Sequence, residues 1–123
     1  MKKSLVLTGM MGVGKSTIGR LLSKKLNLKF IDIDKVIEKN QRKTIRKIFE
    51  VEGEKYFRKL EEKFTLKIIK GKRSVIALGG GAFINNEIRK EVLKSCCSIW
   101  LNLRIENLLK RYKKNSKRPL LKK

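Results

Sequence analysis

Apolar residues arrive along this chain in two alternating rhythms. Leu5-Val6-Leu7-Thr8 is a short apolar run ended by glycines, the pattern of a strand buried in a parallel sheet. From Lys15 onward, Ile18, Leu21, Leu22 and Leu26 recur at helical spacing. Phe30-Ile31-Asp32-Ile33-Asp34 reads as a second strand. Thr44 is placed to cap a helix on which Ile45, Ile48 and Phe49 share a face, and Gly53 interrupts it. Phe57, Leu60, Phe64 and Ile68 line the helix after that. Val75-Ile76-Ala77-Leu78 is a third strand, closed by Gly79-Gly80-Gly81 and followed by a helix. Ile99-Trp100-Leu101 starts a fourth, and Leu108, Leu109 and Tyr112 lie on a last, basic helix. Strands alternate with helices without a repeat or a linker. The pattern predicts one α/β domain over residues 1–123, its parallel sheet covered on both faces.

Composition narrows the class. At 41% hydrophobic the chain has ample material for a core, and no apolar run approaches the roughly 18 residues that span a bilayer. The opening Met1-Lys2-Lys3 followed by Leu5-Val6-Leu7 is too short for a secretory leader, so a soluble cytoplasmic protein is expected. Cys96 and Cys97 are adjacent and no histidine exists to complete a metal site. They read as small filler just before a strand. The net charge of +22 predicts attraction to anions of every kind. Its 24 lysines against nine arginines are strewn over all segments, which suits a compositional bias better than a surface that reads nucleic acid. Only Arg104 to Lys123 concentrates charge, with nine basic residues against Glu106.

The sharpest chemistry lies between the first strand and the first helix. Gly9-Met10-Met11-Gly12-Val13-Gly14-Lys15-Ser16 satisfies G-x-x-x-x-G-K-[ST] in the strand-to-helix setting that the motif requires. Glycines let backbone amides ring a phosphate, and the new helix adds its free amides and dipole. Lys15 would reach the β and γ phosphates and Ser16 would ligate Mg²⁺. An ordinary glycine-rich turn explains neither side chain.

Three further groups each admit two readings. Asp32 and Asp34 sit two apart at a strand end, where one carboxylate could serve Mg²⁺ and the other accept a proton. Equally, one of them could cap a helix starting near Lys35. Arg58 precedes Glu61 and Glu62 by three and four residues; it is either an intrahelical ion pair or a fork for a substrate carboxylate. Gly79-Gly80-Gly81 is either a plain turn or a place of close backbone approach to a ligand.

Taken together, G9MMGVGKST17, I31DID34, T44IRKIFEVEGEKYFRKLE61, V75IALGGG81, I99WLNL103 and R118PLL121 resemble shikimate kinase, in order and in spacing. The resemblance implies a P-loop NTPase fold of the nucleoside-monophosphate-kinase type, a three-layer α/β/α sandwich around a parallel sheet. It implies transfer of the γ-phosphoryl group of MgATP to the 3-hydroxyl of shikimate by a monomer, in aromatic amino-acid biosynthesis. Gly12, Val13, Gly14, Lys15, Ser16, Thr17 and Arg118 would then hold the nucleotide. Asp34 would bind the shikimate hydroxyls and act as the base, with Lys15 and Arg118 as its catalytic partners. Arg58 would hold the shikimate carboxylate, supported by Glu61. Gly79, Gly80 and Gly81 would line the pocket, and Ile45, Phe49 and Phe57 would form its apolar wall. Asp32 would serve Mg²⁺ through its outer shell.

By the same resemblance, residues from about 113 to 123 begin a lid, and Arg118-Pro119-Leu120-Leu121 brings positive charge to the transferring group as it closes. The family pattern continues beyond such a lid with a helix, a fifth strand, an adenine-packing loop and a second arginine for the carboxylate. Arg104 and Arg111 lie before the lid and do not match that arginine. The chain is therefore expected to be incomplete, marginally stable, and weak or inactive on its own. Two other readings compete: a related sugar-acid kinase such as a gluconate kinase, and a non-catalytic basic P-loop module that binds nucleotide or RNA.

Overall fold

In the computed structural model, which describes residues 3–9 and 13–101, the first predicted strand runs from Ser4 to Gly9 (β1). Ser74–Ala77 (β3) pairs on one side of it and Cys96–Leu101 (β4) on the other, while Lys29–Asp32 (β2) pairs outside β3. Among the described residues the sheet is wholly parallel, with the order β2-β3-β1-β4. Leu5 stands opposite Val75, Leu7 opposite Ile99, and Asp32 opposite Ala77. Parallel pairing forces every return onto a helix, and the chain alternates accordingly.

The strand pleat sorts the core into two layers. Leu7 and Val75 meet Ile18 of α1 (Val13–Leu26), with Leu22, Leu28, Phe30 and Ile99 packed around them. The adjacent Val6 and Ile76 point the other way. They meet Ile33 and Ile37 of α2 (Ile33–Gln41), Ile48 of α3 (Ile45–Glu52), Phe57 and Ile69 of α4 (Glu54–Ile69), and Val92 of α5 (Asn86–Ser95). Among the described residues, one helix on one face and four on the other make the three layers. Each fully buried aliphatic side chain contributes roughly 1.5–3 kcal/mol. No described helix is long and apolar enough to cross a membrane.

Local chemistry sets the boundaries. Thr44 caps α3, its Oγ1 accepting the Lys47 amide at 3.1 Å. Gly53 separates α3 from α4 with φ of +92°, a conformation that L side chains rarely adopt. Three expectations are corrected. The second strand stops at Asp32 rather than Asp34, because the Asp32 Oδ1 accepts the amides of Asp34 and Lys35 and so starts a helix. Ile33 is still buried, but by helical packing. The inward line of α4 is Phe57, Glu61, Thr65 and Ile69; Leu60, Phe64 and Ile68 lie about 100° round the helix and are half-buried. Cys96 and Cys97 belong to β4 instead of preceding it, Cys96 buried and Cys97 exposed.

The last basic helix, expected around Leu108 to Tyr112, and the lid with Arg118 to Leu121 lie outside the described residues.

Candidate active site

Because the strands are parallel, Gly9, Asp32 and Ala77 bring three carboxyl ends to one edge of the sheet. There α1 begins at Val13, carrying Gly14, Lys15, Ser16 and Thr17 in its first turns. Gly12 lies outside the described residues. Lys15 is buried, and its Nζ donates to the Gly9 carbonyl at 3.1 Å, folding back across the loop. Burial pulls its pKa down, while Asp34 and then Asp32 work in the opposite direction. Those two carboxylates therefore face the lysine of the phosphate loop.

Ser16 Oγ donates to Asp32 Oδ2 at 3.3 Å while Asp32 Oδ1 caps α2. The capping reading of Asp32 is thus observed on Oδ1, while Oδ2 is tied to the Ser16 hydroxyl. Asp34 sits in the first turn of α2, and its Oδ1 is buried without a hydrogen-bond partner among the described residues. Burial raises its pKa, helped by Asp32 and Glu38 and opposed by Lys15 and Arg58. Lys15, Ser16, Asp34, Ile45, Gly79 and Gly80 line a cavity of about 240 Å³ over this edge.

Arg58 and Glu61 form a charged pair beside Gly79 and Gly81, next to the cavity. Arg58 Nη1 donates to Glu61 Oε1 at 2.9 Å, and Nε reaches Glu54 Oε2 at 3.4 Å. Nη2 makes no hydrogen bond among the described residues and turns toward Gly81, where a Cβ would stand 2.7 Å from it. The ion pair and the carboxylate fork are therefore compatible: Glu61 occupies one arm and leaves another for a ligand. Burial lowers the guanidinium pKa, but the hydrogen bonds and charges of Glu61 and Glu54 outweigh it and leave the pKa raised. The guanidinium also lies 5.2 Å from the centre of the Phe57 ring.

Glu61 is 1% exposed and its Oε2 has no partner among the described residues. Burial raises its pKa, Arg58 opposes that, and Asp34 adds to it. Both unpaired oxygens face one residue. A Cβ on Gly79 would lie 3.0 Å from Asp34 Oδ1 and 3.3 Å from Glu61 Oε2. A side chain there would force those oxygens to give by a few tenths of an ångström.

The apolar wall is narrower than the sequence suggested. Ile45 lines the cavity. Phe57 is buried beneath Arg58 and acts as its platform, and the Phe49 ring packs against Phe57 at 5.0 Å. Sequence reasoning passed over Glu38. It lines the cavity, and its Oε2 accepts the Ile45 amide at 2.9 Å. In the sequence it looks like the i,i+3 partner of Lys35, which it also is, at 3.8 Å. A bond to a residue seven positions on, across a turn, has no local signature.

Among the described residues no group of three His, Cys, Asp or Glu could hold a metal by itself. The oxygen donors at Ser16 and Asp32 do suit a hard cation that draws its remaining ligands from phosphate and water.

The sequence pattern of the family described as shikimate kinase matches residues 11–123. A shikimate kinase of Bartonella henselae is 46% identical over 119 residues, covering 97% of this chain and 57% of its own length. One of Persephonella marina is 40% identical, covering 98% of this chain and 74% of its own. The solved shikimate kinase from Acinetobacter baumannii in complex with shikimate superposes with a TM-score of 0.81. It is 35% identical, and the match covers 100% of this chain and 69% of the other. The crystal structure of shikimate kinase from Aquifex aeolicus gives 0.77 at 38% identity. The chain spans 57–61% of the length of the shikimate kinases of Bartonella henselae, Bartonella quintana and Rhizobium leguminosarum.

Proposed function

The chain belongs to the shikimate kinase family, and we propose that its site takes part in the phosphorylation of shikimate by MgATP, giving shikimate 3-phosphate and ADP. One observation carries this reading: Lys15 and Asp34 line one cavity, and Gly79 on its wall abuts both Asp34 Oδ1 and Glu61 Oε2, the latter carboxylate being held by Arg58. A hydroxylated ring bearing one carboxylate matches that set, its charge on Arg58 and its hydroxyl on Asp34.

In the reaction, the acceptor oxygen bonds to the γ-phosphorus as the bond to the β–γ bridging oxygen breaks. Asp34 takes the hydroxyl proton on Oδ1, and its raised pKa makes it a better acceptor than an exposed aspartate. Lys15, held over the loop, neutralises charge on the β and γ phosphates. MgATP supplies the phosphoryl group and the divalent charge. Ser16 would ligate the cation, with Asp32, to which its hydroxyl is hydrogen-bonded, as the outer partner. Gly12, Val13, Gly14 and Thr17 would complete the phosphate cradle, and Arg118 would add charge at the transferring group. Arg58 orients the acceptor, Ile45 packs on its ring, and the Phe57 platform with Phe49 behind it keeps the guanidinium in place.

This reading makes the protein a cytoplasmic monomer with a small-molecule substrate and without a specific nucleic-acid partner. The unpaired Cys96 and Cys97 agree with a reducing compartment. The test is formation of shikimate 3-phosphate from MgATP by the chain, with Lys15→Ala as the blank. Product that needs both shikimate and Lys15 supports the reading; turnover indifferent to either one overturns it.

A further inference from the structure

Glu38 differs from the other carboxylates of the cavity because it works across a turn. Its Oε2 accepts the Ile45 amide at 2.9 Å, while its Oε1 lies 3.8 Å from the largely exposed ammonium of Lys35. Ile45 opens α3, so its amide is one of those a helix start leaves without an intrahelical partner. Thr44 satisfies a different one, the amide of Lys47. Two side chains thus divide the start of α3, and Glu38 reaches it from the neighbouring helix.

The backbone of the same residue closes α2. The Glu38 carbonyl accepts the amide of the C-cap residue Arg42, which is left-handed at φ 54°, and the amide of Lys43 at 3.3 Å. One residue therefore ends α2 and begins α3. Other ties lie on the outer side of this corner: Tyr56 Oη donates to Gln41 Oε1 at 2.9 Å, and Lys43 stands 3.9 Å from Glu52. The cavity side is held by Glu38, one helical turn along α2 from Asp34.

We propose that Glu38 is a positioning residue for the acceptor, its carboxylate fixing Ile45, and so the apolar wall of the cavity, at a set distance from Asp34. The proposal rests on the acceptor site described above. A carboxylate holding a half-buried amide is a charge-assisted bond, shorter and stronger than a neutral one. Without it the Ile45 amide needs a water, which must enter where the acceptor ring packs. Among the described residues Lys15 and Ser16 make no hydrogen bond to Glu38 or Ile45, so the effect is expected on the acceptor.

The test pairs shikimate titration of the full chain with hydrogen exchange at the Ile45 amide. MgADP titration serves as the control. Glu38→Ala is expected to expose the Ile45 amide to exchange and to weaken shikimate binding about tenfold, leaving MgADP affinity unchanged. Glu38→Gln keeps an acceptor oxygen and restores protection together with most of the affinity. Thr44→Ala removes the other cap of the same helix; it lowers stability but holds shikimate affinity within about twofold. The proposal is overturned if Glu38→Ala binds shikimate like the wild type, or if Thr44→Ala weakens it equally, since both describe a purely structural cap. Absence of shikimate binding by the wild-type chain overturns the acceptor site itself, and this proposal with it.

Discussion

Replacing Gly79 by alanine adds one methyl group between the two unpaired carboxylate oxygens. The new Cβ would stand 3.0 and 3.2 Å from the Asp34 oxygens and 3.3 Å from Glu61 Oε2. Ordinary contacts begin near 3.4 Å, so the side chains must give by a few tenths of an ångström. Glu61 cannot retreat freely, because it is 1% exposed and its other oxygen is bonded to Arg58 at 2.9 Å. Asp34 therefore moves, in the direction that draws its oxygen away from the acceptor hydroxyl. Overpacking of this kind costs about 1–3 kcal/mol, and misplacement of a reacting group by about 1 Å costs about a hundredfold in rate. The expected outcome is a shikimate dissociation constant raised at least about tenfold, with a melting temperature lowered by about 5 °C per kcal/mol. Titration calorimetry and thermal unfolding read the two effects separately. Gly71→Ala is the matched control, since its Cβ would meet only backbone oxygens at 3.4 and 3.8 Å. It should alter neither quantity beyond about 0.5 kcal/mol. Shikimate affinity in Gly79→Ala equal to the wild type would refute the reasoning, for the methyl would then have found room.

Three further outcomes follow from the same geometry. Asp34 and Glu61 are both held above the usual carboxylate range, so the folded chain binds more protons than the unfolded one just above that range. Their contribution to stability therefore falls as pH rises from about 4, and it is fully lost above their folded pKa values. Asp34→Asn should accordingly melt higher than the wild type at pH 7, by about 1 kcal/mol, and lose that advantage toward pH 4 while it fails to support turnover; a lower melting point at pH 7 would contradict this. Arg58→Lys keeps a charge but loses the fork that serves Glu61 and a ligand together, so shikimate affinity should drop at least about tenfold by calorimetry. Lys15→Ala should reduce MgADP affinity by about ten- to a hundredfold and leave shikimate binding nearly intact, which titration with each ligand in turn resolves.

Much of this was legible in the order of apolar residues. Leu5 to Leu7 and Val75 to Ala77 could be read as buried strands because both of their faces are covered, and such strands carry continuous apolar runs. The phosphate loop was legible because its lysine and serine serve no purpose in a mere turn. The end of the second strand was not, because Ile33 continues the apolar run and only the Asp32 side chain decides that a helix begins. The phase of α4 was misread for a related reason. Its inward line includes Glu61 and Thr65, polar residues that a hydrophobic template skips. Glu61 is there because Arg58 compensates part of its burial, a contact between neighbours on one helix. Gly79 could be suspected of close approach, but the two carboxylates that demand it come from α2 and α4, far away in sequence. Glu38 left no trace, since its partner is a backbone amide across a turn.

The central claim is that the cavity recognises shikimate by its hydroxyls as well as by its charge. A chain of net charge +22 attracts any carboxylate, so binding of an anion alone decides little. The direct measurement is a calorimetric titration of the chain with shikimate beside cyclohex-1-ene-1-carboxylate, which keeps the ring and the charge without the hydroxyls. The account predicts saturable one-to-one binding of shikimate and at least about tenfold weaker binding of the analogue, the worth of one lost hydrogen bond to an ionised Asp34. Equal affinities, or no binding of shikimate by the folded chain, would contradict it.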